Sequence, residues 1–288
     1  MAKKTFKKDW SNINKKIKDR KNKFAPDERI FVTTFNDSNQ AKVVMRFLDS
    51  KDTDMPYVEV KSHFFKDVGG WFIETCPTTI GKEPKDCPVC QDLYDQNYYD
   101  NDNDLYYARK KATSFYVNAL IIDDVNKPEN NGKVFLFKFG SKIMEKIEDI
   151  IEEGKIPWDD NCGVNFTFSA KKKGGKMTNY DASRFTDEET EISSYGAEKE
   201  ILAKRHTLSD LIAEASVKSF EELKKKYEKV IGIGGSESAR PSRTRKSDGD
   251  DEDEGVVLDD DIDADIGDED MLTEGDDDDF FDDLDDDE

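Results

Sequence analysis

Four side chains able to ligate a metal fall within one short stretch: His63, Cys76, Cys87 and Cys90, the last two as Cys87-Pro88-Val89-Cys90. Twelve residues separate His63 from Cys76, and ten separate Cys76 from Cys87. Three thiolates and an imidazole make a full tetrahedral set for one structural zinc ion, with no fifth donor to suggest an open, catalytic position. The competing chemistry is a redox dithiol, which would open a helix just after a strand. Cys87 instead follows Pro77, Gly81 and Pro84 in a polar loop, which favours zinc. Cys162 stands apart between Asn161 and Gly163 and reads as a small core residue.

A second chemistry is written in aromatic residues beside cations. Tyr106 and Tyr107 precede Arg109, Lys110, Lys111 and Phe115; Phe137 adjoins Lys138 and Phe139; the run Lys171 to Lys176, with Lys173 inside it, leads to Tyr180. Single-stranded nucleic acid needs both features, cations along its backbone and rings for its exposed bases. The bland alternative is that the rings are core and the lysines are solvated surface. Alternation favours core for Phe135 and Phe139 and leaves Phe137 open between the two readings. The doublets Tyr98-Tyr99 and Tyr106-Tyr107, set among Asn and Asp, are hard to bury together, so at least one of each is expected on a binding surface. No phosphate-binding loop, His-Glu-x-x-His or Gly-x-Ser-x-Gly motif is present, and no enzyme is expected. His206 falls in an expected helix with no evident chemical partner.

These residues need a scaffold, and the pattern is mainly β. Strands are expected at 30–34, 41–48, 57–60, 71–75, 113–122, 133–139 and 165–170, with turns at 36–39 and 126–132. Many short alternating strands and few long helices point to a small antiparallel barrel or sandwich. Helices are expected at 141–153 and over most of 197–230. In the latter, Ser219 and Glu222 have the spacing of a capping box.

Three regions differ sharply in charge. Residues 1–24 form a basic arm with a local net charge of +8, on which Phe6, Trp10, Ile13 and Ile17 fall at helical spacing. Residues 25–231 read as the core domain, with a zinc-bearing part around 60–110. Residues 232–288 begin as a Gly/Ser linker and end as an acidic tail, which cannot fold alone. Asp248 to Glu288 hold 25 Asp or Glu and no Lys or Arg, so the overall charge of -22 hides a body with 44 basic and 41 acidic residues. Phe280, Phe281 and Leu284 interrupt the acidic run like short anchors for a partner surface. As a flexible polyanion bearing rings, the tail is also expected to mimic single-stranded DNA in a basic cleft. With no apolar leader and no run of 18 apolar residues, neither secretion by a signal nor a membrane span is expected.

The chain resembles the helix-destabilising single-stranded DNA-binding proteins of T-even-type bacteriophages. The resemblance covers about residues 30–230. It is carried by Val44-Met45-Arg46-Phe47-Leu48, Gly70-Trp71-Phe72-Ile73-Glu74-Thr75-Cys76, Cys87-Pro88-Val89-Cys90, Lys110-Lys111-Ala112-Thr113-Ser114-Phe115 with Asn118, and Gly132-Lys133-Val134-Phe135. Asn179-Tyr180-Asp181 and Ser219-Phe220-Glu221-Glu222-Leu223 complete it. It implies an OB-fold core with a zinc-binding subdomain, helical extensions and a disordered acidic tail. The implied zinc ligands are His63, Cys76, Cys87 and Cys90. The implied DNA contacts are Tyr99, Tyr106, Phe115, Phe137 and Tyr180 with Arg46, Lys110 and Lys111, to which the residue reading adds Arg109, Lys171 and Lys173. Phe115 and Phe137 stand where the family has tyrosines. The resemblance further implies self-association on DNA through Lys3, Lys4 and Thr5. It implies recruitment of replication, recombination and repair proteins by the tail, and a place in the cytoplasm of an infected bacterium. Two other functions fit the residues less well: a zinc-stabilised RNA-binding translational regulator, and an acidic-tailed chaperone of basic proteins.

Overall fold

The computed structural model describes residues 27–173 and 177–233, without the side chains of Lys173 and Met177. The basic arm with Lys3, Lys4 and Thr5, and the acidic tail, lie outside the described residues.

Eight antiparallel strands form one sheet: β1 (Gln40–Leu48), β2 (Tyr57–Asp67), β3 (Gly70–Thr75), β4 (Lys111–Asp124), β5 (Val134–Phe139), β6 (Cys162–Lys173), β7 (Met177–Asn179) and β8 (Arg184–Glu191). The expected strand at 30–34 is reduced to a single bridge, Ile30 to Leu136, with Phe31 buried beside it. The turn at 36–39 forms as expected: the Asn36 side chain accepts from the Ser38 and Gln40 backbone amides, and Asn39 takes a positive φ of 55°.

β4 organises the sheet because it is long enough to be shared. On one edge its first half pairs with β2, from Lys111 to Val117, and its second half with β1, from Asn118 to Asp124. On the other edge Phe115 to Leu120 pair with β5. The sheet therefore forks at the middle of β4. One branch carries β2 and β3 towards the Cys/His stretch. The other carries β1, β6, β7 and β8.

Alternation sets the core at the fork. Val43, Met45 and Phe47 of β1, Val117, Ala119 and Ile121 of β4, Phe137 and Phe139 of β5, and Phe166 and Phe168 of β6 pack as one buried cluster. Three short helices, α1 (Pro88–Asp95), α2 (Tyr98–Asn101) and α3 (Asn103–Arg109), precede β4 in the chain, and a longer helix, α4, closes the cluster. Helix α4 itself is Ser141–Glu152; it buries Ile143, Ile147 and Ile150, while Ile151, expected on the same face, is exposed.

The C-terminal region is less helical than its sequence suggests. It holds α5 (Glu198–Ala203), two 3-10 turns at Ser209–Ile212 and Glu214–Ser216, and α6 (Phe220–Val230). The capping box at Ser219 and Glu222 forms. His206 is a structural residue: its amide donates to Asn118 Oδ1 at 2.7 Å and its Nε2 lies 2.9 Å from the Val134 carbonyl. Cys162 is exposed, not core. Helix α6 packs Leu223, Tyr227 and Val230 against Phe65, Phe72, Cys76, Cys87, Val89 and Leu93, making a second core around the Cys/His stretch. The β2–β3 turn is pressed onto the end of α6. Gly69 donates to the Val230 carbonyl at 2.7 Å, and a Cβ at Gly69 would stand 1.9 Å from the Lys229 carbonyl oxygen.

Candidate nucleic-acid interface and its metal centre

The four expected ligands converge from three elements. His63 points inward from β2. Cys76 follows the last residue of β3, its amide fixed to the Lys61 carbonyl at 2.7 Å. Cys87 caps α1, and Pro88 occupies the first helical turn, where a missing N–H costs nothing. Cys90 lies three residues on, so both sulfurs face the same way. His63 Nε2 is 3.4 Å from both Cys87 Sγ and Cys90 Sγ, Cys76 Sγ is 3.7 Å from Cys90 Sγ, and all four donor atoms lie within 4.8 Å of one another. Cys76, Cys87 and His63 are each 1% exposed.

The electrostatics ask for a cation. Burial disfavours a charged His63, but hydrogen bonding to Cys76 and Cys87 and their charge outweigh it and raise its pKa to about 9. Hydrogen bonds from Cys87 and Cys90 hold the Cys76 thiol far below the ordinary range, while the same crowding pushes Cys90 far above it. Three sulfurs this close cannot all ionise unaided. A metal ion among them would remove the conflict, and the donor set fits one. The outer contacts are in place: His63 Nδ1 lies 2.9 Å from the Arg109 carbonyl, leaving Nε2 for the metal, and Thr78 Oγ1 donates to Cys76 Sγ at 3.2 Å.

Arg109 joins this centre to its surroundings and corrects an expectation. Its guanidinium is buried. It donates to Asp67 Oδ2 at 2.5 Å and to the Tyr227 hydroxyl at 3.1 Å, and lies over the rings of Phe65 and Tyr227. Tyr227 donates in turn to Asp92. This arginine therefore ties β2, α1, α3 and α6 together and presents no charge outward.

The aromatic surface starts on the adjoining helices. Tyr99 is 54% exposed and meets Tyr106 edge-on at 5.3 Å; Tyr106 meets Tyr107 at 5.4 Å; Lys110 Nζ lies 4.5 Å over the Tyr107 ring. Lys111 then begins β4. Residues paired across a ladder share a face. The pairs His63–Lys111, Lys61–Thr113, Glu59–Phe115 and Tyr57–Val117 therefore put Lys111, Thr113, Phe115, Lys61 and Tyr57 on one side of the sheet. Phe115 is half-buried, stacked on Phe139 at 5.6 Å and met by Tyr57 at 5.7 Å, and Tyr57 touches Trp158 at 6.0 Å. Tyr57 and Trp158 were not singled out from the sequence. Alternation from Tyr57 through Glu59 and Lys61 carries the signal for the first; nothing local marks the second.

Two more expected contacts lie inside. Arg46 is fully buried, donating to the backbone carbonyls of Gly163, Asp159 and Thr190, and burial pulls its pKa down. Gly163 leaves it room: a Cβ there would stand 2.7 Å from Nη2. Phe137 is 3% exposed, among Phe47, Phe139, Phe166 and Phe168. Neither offers a face to a ligand. Tyr180 follows β7, half-buried against Phe168 at 5.6 Å. Lys171 is exposed on β6, and the side chain of Lys173 is outside those described.

A family model described as gp32 DNA binding protein like matches residues 39–231. The single-stranded DNA-binding protein of Enterobacteria phage T4 is 36% identical over 223 residues, covering 74% of this chain and 73% of that protein. That of phage T2 is 35% identical over the same length, with the same coverage. That of phage RB70 is 37% identical over 82 residues, covering 28% of this chain and 69% of the relative.

Proposed function

This chain belongs to the gp32-like family of DNA-binding proteins, and on that premise we propose that it binds single-stranded DNA without sequence preference during phage DNA replication, recombination and repair. One observation carries the mechanism. The Tyr99–Tyr106–Tyr107 cluster with Lys110 runs into the face of β4 that holds Lys111, Thr113 and Phe115. A strand laid along it meets rings for its bases and cations for its phosphates, the combination single strands require. Each stacked base contributes about 1–3 kcal/mol, largely whatever its identity. The chain works by binding and carries no enzymatic activity.

The metal that His63, Cys76, Cys87 and Cys90 would hold is zinc. Zn–S of about 2.3 Å and Zn–N of about 2.0–2.1 Å imply donor separations of roughly 3.5–3.8 Å in a tetrahedron. The observed 3.4 and 3.7 Å are close to that. Through one such ion Cys87 and Cys90 of α1 and Cys76 after β3 would be fastened to His63 of β2, which would hold the tyrosine-bearing helices beside β4. The antiparallel sheet and its phenylalanine core are read as an OB-fold, with β2, β3 and α1–α3 as the metal-bearing lobe.

The arm, through Lys3, Lys4 and Thr5, contacts the next copy along the strand and makes binding cooperative. The tail tempers binding and recruits replication, recombination and repair proteins. No described helix is long and apolar enough to cross a membrane, and the working place is the cytoplasm of the infected host. Competition binding with poly(dT), single-stranded RNA and duplex DNA at graded salt tests the reading. A salt-sensitive preference for poly(dT) is expected. Equal or stronger binding to duplex would overturn it.

A further inference from the structure

Strand β6 carries a second ring–cation pair on the side of the sheet that holds the proposed interface. Phe166, Phe168 and Ala170 of β6 face the phenylalanine core. Alternation puts Lys172, the next residue in that phase, on the same side beyond the buried rings. Its Nζ lies 4.5 Å over the ring of Phe35. Phe35, Tyr180 and Phe115 are all half-buried against the rim of this one core. The register sets Lys172 opposite Thr178 of β7. Tyr180, two residues on, keeps to that side and meets Phe168 at 5.6 Å. Two rings are thereby gathered at one end of β6, with a lysine over the first.

We propose that Phe35 with Lys172 is a further stacking position for single-stranded DNA, continuing the surface from Tyr180. The inference rests on the DNA-binding reading above and adds to it a ring and a cation that no sequence pattern marks. Two observations favour it. First, the pair repeats the build of the proposed interface. Lys110 lies over Tyr107 at the same 4.5 Å, whereas the pairs made by Lys66, Arg109 and Lys226 run from 5.4 to 5.9 Å. Those three are also placed for other work. Arg109 is buried and Lys226 is bound to Glu74. Lys66, three residues from His63, stands with its partner Trp71 on the opposite side of the sheet from Lys111 and Phe115.

Second, the pair is held in place before any ligand arrives. The Asn36 amide donates to the Gln40 carbonyl at 2.9 Å. Asn126 Nδ2 donates to the Thr34 carbonyl at 2.7 Å and to the Gln40 carbonyl at 2.9 Å, which fixes the chain on both sides of Phe35. The Lys172 amide donates to the Asn39 carbonyl at 2.9 Å and ties β6 to the same turn. Groups fixed in this way lose little freedom on binding. The charge nearby suits a phosphate. Lys171 is exposed on the other side of β6, and Lys173 and Lys176 follow in sequence. The turn contributes one acid, Asp37, and the Asp181 carboxylate is taken by Asn179. A phosphate here draws the Lys172 ammonium off the ring and leaves that face of Phe35 to a base.

The test is photocrosslinking of the full-length, metal-loaded chain to oligo(dT) carrying 5-iodouracil at successive positions, with the attached residues mapped by mass spectrometry. Crosslinks are expected at Phe35 and Tyr180 as well as within residues 99–115. Phe35→Leu keeps an apolar side chain on the core rim. It should weaken poly(dT) binding about 5- to 150-fold, the loss of one stacked base, with metal content and the salt slope unchanged. Lys172→Gln, which leaves the core untouched, should make the salt slope shallower by about 0.7. Crosslinks confined to residues 99–115, or an affinity and salt slope unchanged in both variants, would overturn the proposal and leave the DNA-binding reading standing. Failure of the unaltered chain to bind poly(dT) would overturn that reading, and this one with it.

Discussion

Arg109→Met discriminates a phosphate contact from an internal brace. Its sequence position, between two tyrosines and two lysines, reads as a contact. In the structure its guanidinium binds Asp67 and Tyr227, and its carbonyl receives His63 Nδ1. Methionine preserves the carbonyl and most of the packing over Phe65 but removes two hydrogen bonds, one of them to a carboxylate. Hydrogen bonds to charged groups contribute about 1.5–3 kcal/mol. Stranding a partner in a fully buried pair costs about 3–5 kcal/mol. The Asp67 side chain is 24% exposed and can rehydrate, so the cost falls below that range, to the upper part of the hydrogen-bond figure. We expect a loss of about 2–3 kcal/mol, or roughly 4–12 °C in Tm for a domain of this size. Faster hydrogen exchange should be concentrated in α1, α3 and the end of α6. The slope of log K against log salt for poly(dT) should not change at temperatures where the variant is folded. A phosphate contact predicts the reverse: unchanged Tm and a slope shallower by about 0.7, the share of one phosphate on a single strand. That outcome would refute the brace.

Tyr99→Ala and Tyr106→Ala should each weaken poly(dT) binding by about 1–3 kcal/mol without altering the salt slope, as expected for lost stacking. Lys110→Ala and Lys111→Ala should each make the slope shallower by about 0.7 in the same titration. Phe137→Ala should destabilise the fold by about 3–5 kcal/mol in urea unfolding, because it empties a buried ring site, while affinity per folded molecule stays unchanged. Chelation should release one zinc per chain, read with a colorimetric metal indicator, and loosen the Cys/His lobe. Poly(dT) binding should weaken while exchange in β1, β5 and β6 stays slow.

Strand alternation made most of the sheet legible, because burying one face leaves a period of two. β8, Arg184 to Glu191, was missed: its side chains are exposed or half-buried on both faces, so there is no alternation to read. Helices α1–α3 were missed because they are short and are held by the Cys/His centre and Tyr227, not by a face of their own. The ligands of the metal centre were legible because thiols and imidazole at these spacings have few other uses. The contact residues were harder, for a geometric reason. In a strand, neighbours in sequence point to opposite faces, so Lys138 beside Phe137 marks no shared surface: Phe137 is core and Lys138 faces away. In a helix, residues three apart are neighbours, and Tyr107 with Lys110 does form a ring-cation pair. Arg46 and Arg109 hide for another reason. Their partners Gly163 and Tyr227 lie 117 and 118 residues away, and no local pattern announces them.

The shared edge of β4 explains why the metal lobe should matter to binding without deciding whether the protein folds. β2 covers only Lys111 to Val117 of that edge, and β1 holds the remainder. Loosening the lobe therefore frees the tyrosine cluster and the edge beside Lys111. Phe115 keeps its place, because β5 secures it from the opposite edge through Phe139. The stacking surface is thus divided between a part that moves with the metal and a part built on the core. Chelation removes the first and spares the second, so a single-strand affinity reduced but not abolished, with the β1–β6 core intact, is the signature this fork requires.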